Sequence, residues 1–212
     1  MTYLTQVLID PDTARQLKLW KWDSYAWHQA VWKAFPGRDG KQRDFLTRLD
    51  ERAGSVRLLI VSPEIPSRPD WCPVGCWQTK PIPETYFGKR RYAFQLRANP
   101  TKKVTKLGPD GQPMKNSVRA PLRQREELVD WMKRKAEQGG FEVAVDKLRT
   151  IPHGPERFQK NGQTGTHTAV EFQGVLMVTD PGKFHKTFTR GIGSAKAFGF
   201  GLLVIAPVAS TS

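Results

Sequence analysis

Alternation of apolar and polar positions opens the chain. Residues 2–9, Thr-Tyr-Leu-Thr-Gln-Val-Leu-Ile, alternate and are rich in β-branched side chains, which predicts a strand. Asp10-Pro11-Asp12 reads as a turn. The period then changes. Residues 24–35 read as a helix that Asp23 or Ser24 can cap and that Pro36-Gly37 ends. Trp27, Val31 and Phe35 suit its core face better than a base-stacking platform. Phe45, Thr47 and Leu49 alternate with charges, as in a strand with one wet face, and residues 56–61 form a more deeply buried strand. Residues 62–83 are proline-rich and read as a loop. Tyr92, Phe94 and Leu96 line one face of a strand over 91–98.

A similar order follows. Residues 104–118 form a basic excursion that turns at Gly108-Pro109-Asp110-Gly111. Residues 121–138 read as a long helix with Pro121 in its first turn and Gly139-Gly140 at its end. Leu128, Trp131 and Met132 are its apolar face; Arg123, Arg125, Lys133, Arg134 and Lys135 populate the rest. A strand over 141–149, a polar hairpin tip over 157–167, a strand over 168–178, a helix over 181–190 and a last strand over 201–206 complete the chain. The fold class is α+β, as two tandem βαββαβ units, the first with a degraded second helix. Residues 1–98 make the first unit and 99–212 the second.

Composition adds a partner class. With 38% hydrophobic residues the 212-residue chain can bury a core, and a net charge of +14 points to nucleic acid or an anionic membrane. The charge is concentrated: residues 89–160 hold 18 Lys/Arg against 8 Asp/Glu, so they carry +10 of the +14. A solvated basic face is the alternative, but so one-sided a distribution favours nucleic acid. No secretory signal or membrane span is expected, since the first residues alternate and the apolar run at 198–209 is short and broken by Pro207. A cytoplasmic protein follows. Cys72 and Cys76 have no second pair to complete a zinc site and are expected as free thiols.

Two features could carry chemistry. The first is the loop Arg190-Gly191-Ile192-Gly193-Ser194-Ala195-Lys196-Ala197-Phe198-Gly199-Phe200-Gly201. Glycines let backbone N–H groups approach an anion closely, and Arg190 and Lys196 add charge. It fits neither a dinucleotide fingerprint nor a P-loop, so a polyanion of repeating phosphates is the better guest. A glycine-capped turn from helix to strand is the competing reading. The second is the 24–35 helix. Of four histidines, His28 stands apart, because Tyr25 lies one turn before it. Lys33 is rotated by about 140° from His28 on an ideal helix, so only helix-end distortion or its long stem would make them converge. Spacing alone favours a partly exposed histidine of no function. Cutting RNA through its own 2′-hydroxyl needs a proton-transfer group near neutral pH and a cation for the phosphorane. The acids are scattered, which argues against a two-metal nuclease; no metal or cofactor is expected.

Tyr25-Ala26-Trp27-His28-Gln29-Ala30-Val31-Trp32, Phe94-Gln95-Leu96-Arg97-Ala98-Asn99-Pro100, Glu171-Phe172-Gln173-Gly174-Val175-Leu176 and the glycine loop with Gly201-Leu202-Leu203 together resemble the CasE family. These are the CRISPR repeat-RNA endoribonucleases of type I-E systems, in the RAMP superfamily. The matches keep their order over nearly the whole chain. The resemblance implies two ferredoxin-like domains and metal-independent cleavage of precursor CRISPR RNA at the 3′ base of each repeat hairpin. The products would be a 5′-hydroxyl and a 2′,3′-cyclic phosphate, with the hairpin kept and carried into the Cascade complex. By the same resemblance His28 is the proton-transfer group and Tyr25 orients the 2′-hydroxyl or phosphate. Lys33 is a phosphate-stabilising lysine. Lys133, Arg134 and Lys135 would grip the stem, with Arg157 and Lys160 near bases. Lys102 and Lys103 would hold the strand at the cut, and Arg119, Arg190, Ser194 and Lys196 would complete the RNA surface.

Overall fold

The computed structural model describes residues 1–38, 41–107, 112–160 and 162–208. Its fold is α+β, built on antiparallel sheets. The first sheet contains β1 (Thr2–Ile9), β2 (Leu46–Arg52), β3 (Ser55–Ser62) and β4 (Trp77–Ile82), in the order β2-β3-β1-β4. Between β1 and β2 run the short helix α1 (Pro11–Gln16) and the helix α2 (Ser24–Trp32). Asp10 and Pro11, expected in a turn, instead start α1: the Asp10 carboxylate accepts from the Asp12 and Thr13 N–H groups, and proline suits the first helical position. The apolar side chains of β3 alternate between two clusters. Val56, Leu58 and Ile60 pack under the helices with Trp27, Val31 and Phe35, whereas Leu59 and Val61 face the rest of the molecule. Burial on both faces explains its unbroken apolar run.

The second sheet contains β5 (Arg91–Ala98), β8 (Phe141–Val143), β10 (Gln163–Val178) and β11 (Leu203–Pro207), in the order β11-β5-β10-β8; β9 (Arg149–Lys160) follows β8 along the same edge of β10. A separate ribbon of β6 (Thr101–Leu107) and β7 (Pro113–Pro121) leaves the end of β5. Its tip, Gly108-Pro109-Asp110-Gly111, lies outside the described residues. Two helices, α3 (Arg125–Gln138) and α4 (Pro181–Arg190), pack on this sheet through Leu128, Trp131, Met132, Phe184 and Phe188.

Several expectations change. Residues 62–83 are not all loop, because β4 pairs with β1 as an edge strand. Its mostly exposed side chains and Pro81 leave no apolar alternation to read. The strand over 91–98 does not close the first sheet. It lies in the middle of the second, between β10 and β11, so the change of sheet falls before residue 91 rather than after 98. The long helix starts at Arg125, since Pro121 ends β7. The span 141–149 is divided by a 3₁₀ turn, Val145–Lys147. The helix expected to residue 35 ends at Trp32. Cys72 and Cys76 are free thiols, and burial, with a lesser push from Cys76, raises the Cys72 thiol to about 11. Among the described residues no helix is long and apolar enough to cross a membrane.

Candidate functional site

Helix α2 is fixed at its start by Asp23. One carboxylate oxygen accepts from the Tyr25 and Ala26 N–H groups; the other accepts from the Gln159 N–H of β9 at 2.8 Å. A helix cap thus also ties the helix to the second sheet. Trp27 and Val31 anchor the buried face, so Tyr25 and His28 remain half-buried with ring centroids 6.4 Å apart. The indole N–H of Trp32, one turn after His28, donates to His28 Nε2 at 3.1 Å. Nε2 is therefore an acceptor, and the neutral ring carries its proton on Nδ1. Lys33 caps the helix end with ordinary helical dihedrals and an exposed side chain, so no distortion swings it towards His28.

The glycine loop closes over this helix. Phe198 stands 6.3 Å from His28, centroid to centroid, and also packs on Phe158 and His167. The loop is laced to the end of β5. Gly201 N–H donates to the Arg97 carbonyl at 2.8 Å, and Ser194 Oγ donates to the Asn99 carbonyl at 3.2 Å. Gly201 has φ +86°, and a Cβ there would sit 2.6 Å from the Ile192 carbonyl, so only glycine fits. The turn reading of this loop is observed, for Gly191 caps α4. Tertiary contacts add cations. Arg43 donates to the Lys196 carbonyl at 2.9 Å, and the Lys196 ammonium donates to the Arg190 carbonyl at 2.8 Å. Burial, then the charges of Arg43, Arg190 and Lys135, hold the Lys196 ammonium below its ordinary value. Such a cluster repels itself until an anion arrives.

On the other side, His167 is held between Phe158 and Phe198. Phe158 can lie over it because Gly165 has no side chain: a Cβ there would meet the Phe158 ring at 2.1 Å. Thr168 N–H donates to the Asn99 amide oxygen, which turns the amide N–H₂ towards His167 Nδ1 at 3.3 Å. Burial lowers the His167 value against the opposing pull of Glu156, which favours the neutral ring.

The remaining expected contacts are spread over other elements, and Arg157 among them also lines a cleft below His28. Lys103, Arg119, Lys133, Arg134 and Arg157 are exposed on β6, β7, α3 and β9. Lys102 is paired with Glu127 at 2.6 Å, and Lys135 donates to Gln138. Lys160 ends β9, with its side chain outside the described residues. Trp32, Arg43 and Phe198 were not singled out as site residues. Arg43 lies 153 residues from its loop partner, so no local pattern marks it.

Below His28 a cleft of about 510 Å³ separates the sheets. On its wall Arg48 of β2 pairs with Asp50 and reaches Glu171 of β10 at 3.1 Å. The site is thus a half-buried histidine between a cationic loop and a polar cleft.

Comparison with known proteins gives the family. The CRISPR associated protein family matches residues 2–207, and the chain belongs to it. It is 31% identical, over 97% of its length and 100% of the relative's, to the CRISPR system Cascade subunit CasE of Escherichia coli K12. It is 28% identical, with the same coverage, to the CRISPR-associated endoribonuclease Cse3 of Thermus thermophilus. Among solved structures, Cas6e of Escherichia coli K-12 superposes with TM-score 0.74 at 28% identity, covering 97% of this chain and 100% of that one. Cse3 bound to a 19-nucleotide RNA superposes with TM-score 0.71 at 29% identity, covering 98% and 100%.

Proposed function

We propose that this chain is a metal-independent endoribonuclease that cleaves precursor CRISPR RNA at the 3′ base of the repeat stem-loop and keeps the hairpin product. The single observation that carries the reading is the placing of His28 and Tyr25 under a glycine loop whose cations, Arg190 and Lys196, are joined by Arg43 and Lys135. The names of the relatives, a Cascade subunit and an endoribonuclease, give the partner class: a repeat hairpin and the other subunits of Cascade. The chain acts in the cytoplasm. Both sheets have the strand order of a βαββαβ unit, which supports two tandem ferredoxin-like domains with the boundary before β5.

In the proposed reaction the 2′-oxygen bonds to the adjacent phosphorus as the bond from phosphorus to the 5′-oxygen breaks. The 2′-hydroxyl loses a proton and the leaving 5′-oxygen gains one, giving a 2′,3′-cyclic phosphate and a 5′-hydroxyl. His28 transfers a proton, Tyr25 orients the reacting groups, and the cationic loop holds the phosphorane charge. Lys33 assists by reaching along its stem. Lys102, Lys103, Arg119, Lys133, Arg134, Lys135, Arg157 and Lys160 hold the stem and flanks, where shape and backbone contacts dominate. Incubating the protein in EDTA with repeat RNA, beside the same RNA carrying a 2′-deoxy residue at the cut, tests the chemistry. A single cut abolished by the deoxy change is expected; binding without a cut would make this an RNA-holding module. His28→Ala is expected to slow single-turnover cleavage by about 10² to 10⁴-fold with affinity nearly intact.

A further inference from the structure

Among the described residues, five buried side-chain polar atoms have no hydrogen-bond partner: Ser24 Oγ, Trp27 Nε1, Arg48 Nη1, His167 Nε2 and His185 Nε2. The first three belong to residues that line the cleft below His28. Trp27 is 5% exposed and Arg48 4%. Buried polar groups are nearly always paired, so three around one cavity mark a place built for a guest. The indole and guanidinium can only donate, and the serine can donate as well. The guest must therefore offer acceptors.

A phosphate offers acceptors but does not fit. Asp23, Asp50, Glu51, Glu156 and Glu171 line the cleft, against Arg48, Arg97 and Arg157. Two of those arginines are already committed, Arg48 to Asp50 and Glu171 and Arg97 to Glu156. In a chain of net charge +14 this cleft is locally acidic and repels anions. An uncharged planar group with acceptor atoms, carbonyl oxygens or ring nitrogens, meets both conditions. Gln95 and Gln173, directly opposite one another on β5 and β10, are further hydrogen-bonding groups of the lining.

We infer that the cleft receives one unpaired nucleobase, from a nucleotide flanking the cut. The glycine loop sets the division of labour. In its 3₁₀ turn, Lys196 belongs to the cationic cluster, whereas Ala197 and Phe198, the next two residues, line the cleft. The sugar–phosphate chain stays with the cations, and the base turns inward past Phe198 and His28. This inference rests on the RNA-processing reading and adds to it a base-selecting pocket at the cut.

The test uses the full chain and a repeat hairpin RNA made uncleavable by a 2′-deoxy residue at the cut, with each unpaired flanking nucleotide made abasic in turn. Binding is measured for the wild type, for Trp27→Phe, which keeps a ring but loses the N–H, and for Ser24→Ala. At one position the abasic change is expected to weaken binding about five- to tenfold, the scale of one or two neutral hydrogen bonds. Trp27→Phe should weaken binding of the intact RNA several-fold, yet add little to the abasic loss at that position, and Ser24→Ala should show the same coupling. Losses that multiply at every position, for both variants, would show that the cleft holds only solvent. Because the RNA cannot be cut, this readout is independent of His28. Failure to bind hairpin RNA at all would overturn the functional reading, and the inference with it.

Discussion

His28 and His167 lie either side of Phe198, yet their surroundings assign them opposite tautomers. At His28 the Trp32 indole donates to Nε2, so the neutral ring keeps its proton on Nδ1. At His167 the Asn99 amide donates to Nδ1, so the proton sits on Nε2, which is buried. The consequence at His28 is that the Nε2 lone pair is spent on the indole until something displaces it. Trp32→Phe keeps an aromatic ring against Phe45 and removes this competitor. If RNA engages Nε2, losing one neutral hydrogen bond of about 1 kcal/mol should speed single-turnover cleavage by about fivefold. The ¹⁵N shifts of the His28 ring should report the lost donor at the same time. An unchanged rate with changed shifts would show that the chemistry does not pass through Nε2.

At the scale of elements, α3 is the longest helix among the described residues, with an apolar face of Leu128, Trp131 and Met132 and a basic opposite face. Its period made the face legible, although its start was not, because proline fits both a first helical turn and a strand end. Lys133 and Arg134 are exposed there, and Lys135 joins the charges around Lys196. Replacing Arg134 and Lys135 by alanine should weaken hairpin binding and flatten its dependence on log salt by up to about two phosphate contacts, or roughly 1.5 in slope. Measuring affinity over a salt series checks this; a parallel line would place α3 away from the RNA. Strand β4 shows the opposite case. An edge strand need not bury both faces, so Trp77–Ile82 carries little periodic signal and is recognised only from its pairing with β1.

At the scale of the molecule, the bond between Arg48 and Glu171 joins strands of the two sheets, 123 residues apart. Both side chains are about 5% exposed, and without Glu171 the Arg48 guanidinium keeps only Asp50 as its buried partner. Glu171→Ala is expected to destabilise the fold by about 2 kcal/mol, measurable by urea unfolding. The same network sets an acid limit. Burial raises the Asp50 carboxyl, but Arg48 and Arg57 outweigh it and hold it below its ordinary value. A carboxyl depressed in the folded state contributes its full stability above about pH 4, where unfolded aspartate titrates, and loses it as pH falls through the folded value. Unfolding curves between pH 3 and pH 7 should therefore show an acid limb that is shallower in Asp50→Asn than in the wild type.

The sequence by itself determined what local physics encodes. Alternation located β1 and β5, an apolar run located β3, the helical period located α2 and the buried face of α3, and charge density marked the basic middle of the chain. Helical spacing also put Tyr25 beside His28, since residues three apart share a face whatever surrounds them. Only the tertiary structure decided which sheet β5 joins, because a strand buried on one face reads the same in either. It alone brought Arg43 to Lys196 and opened a cleft between the sheets lined by Trp27 and Arg48. Those arrangements depend on contacts between residues far apart in the chain, and no period or spacing records such contacts.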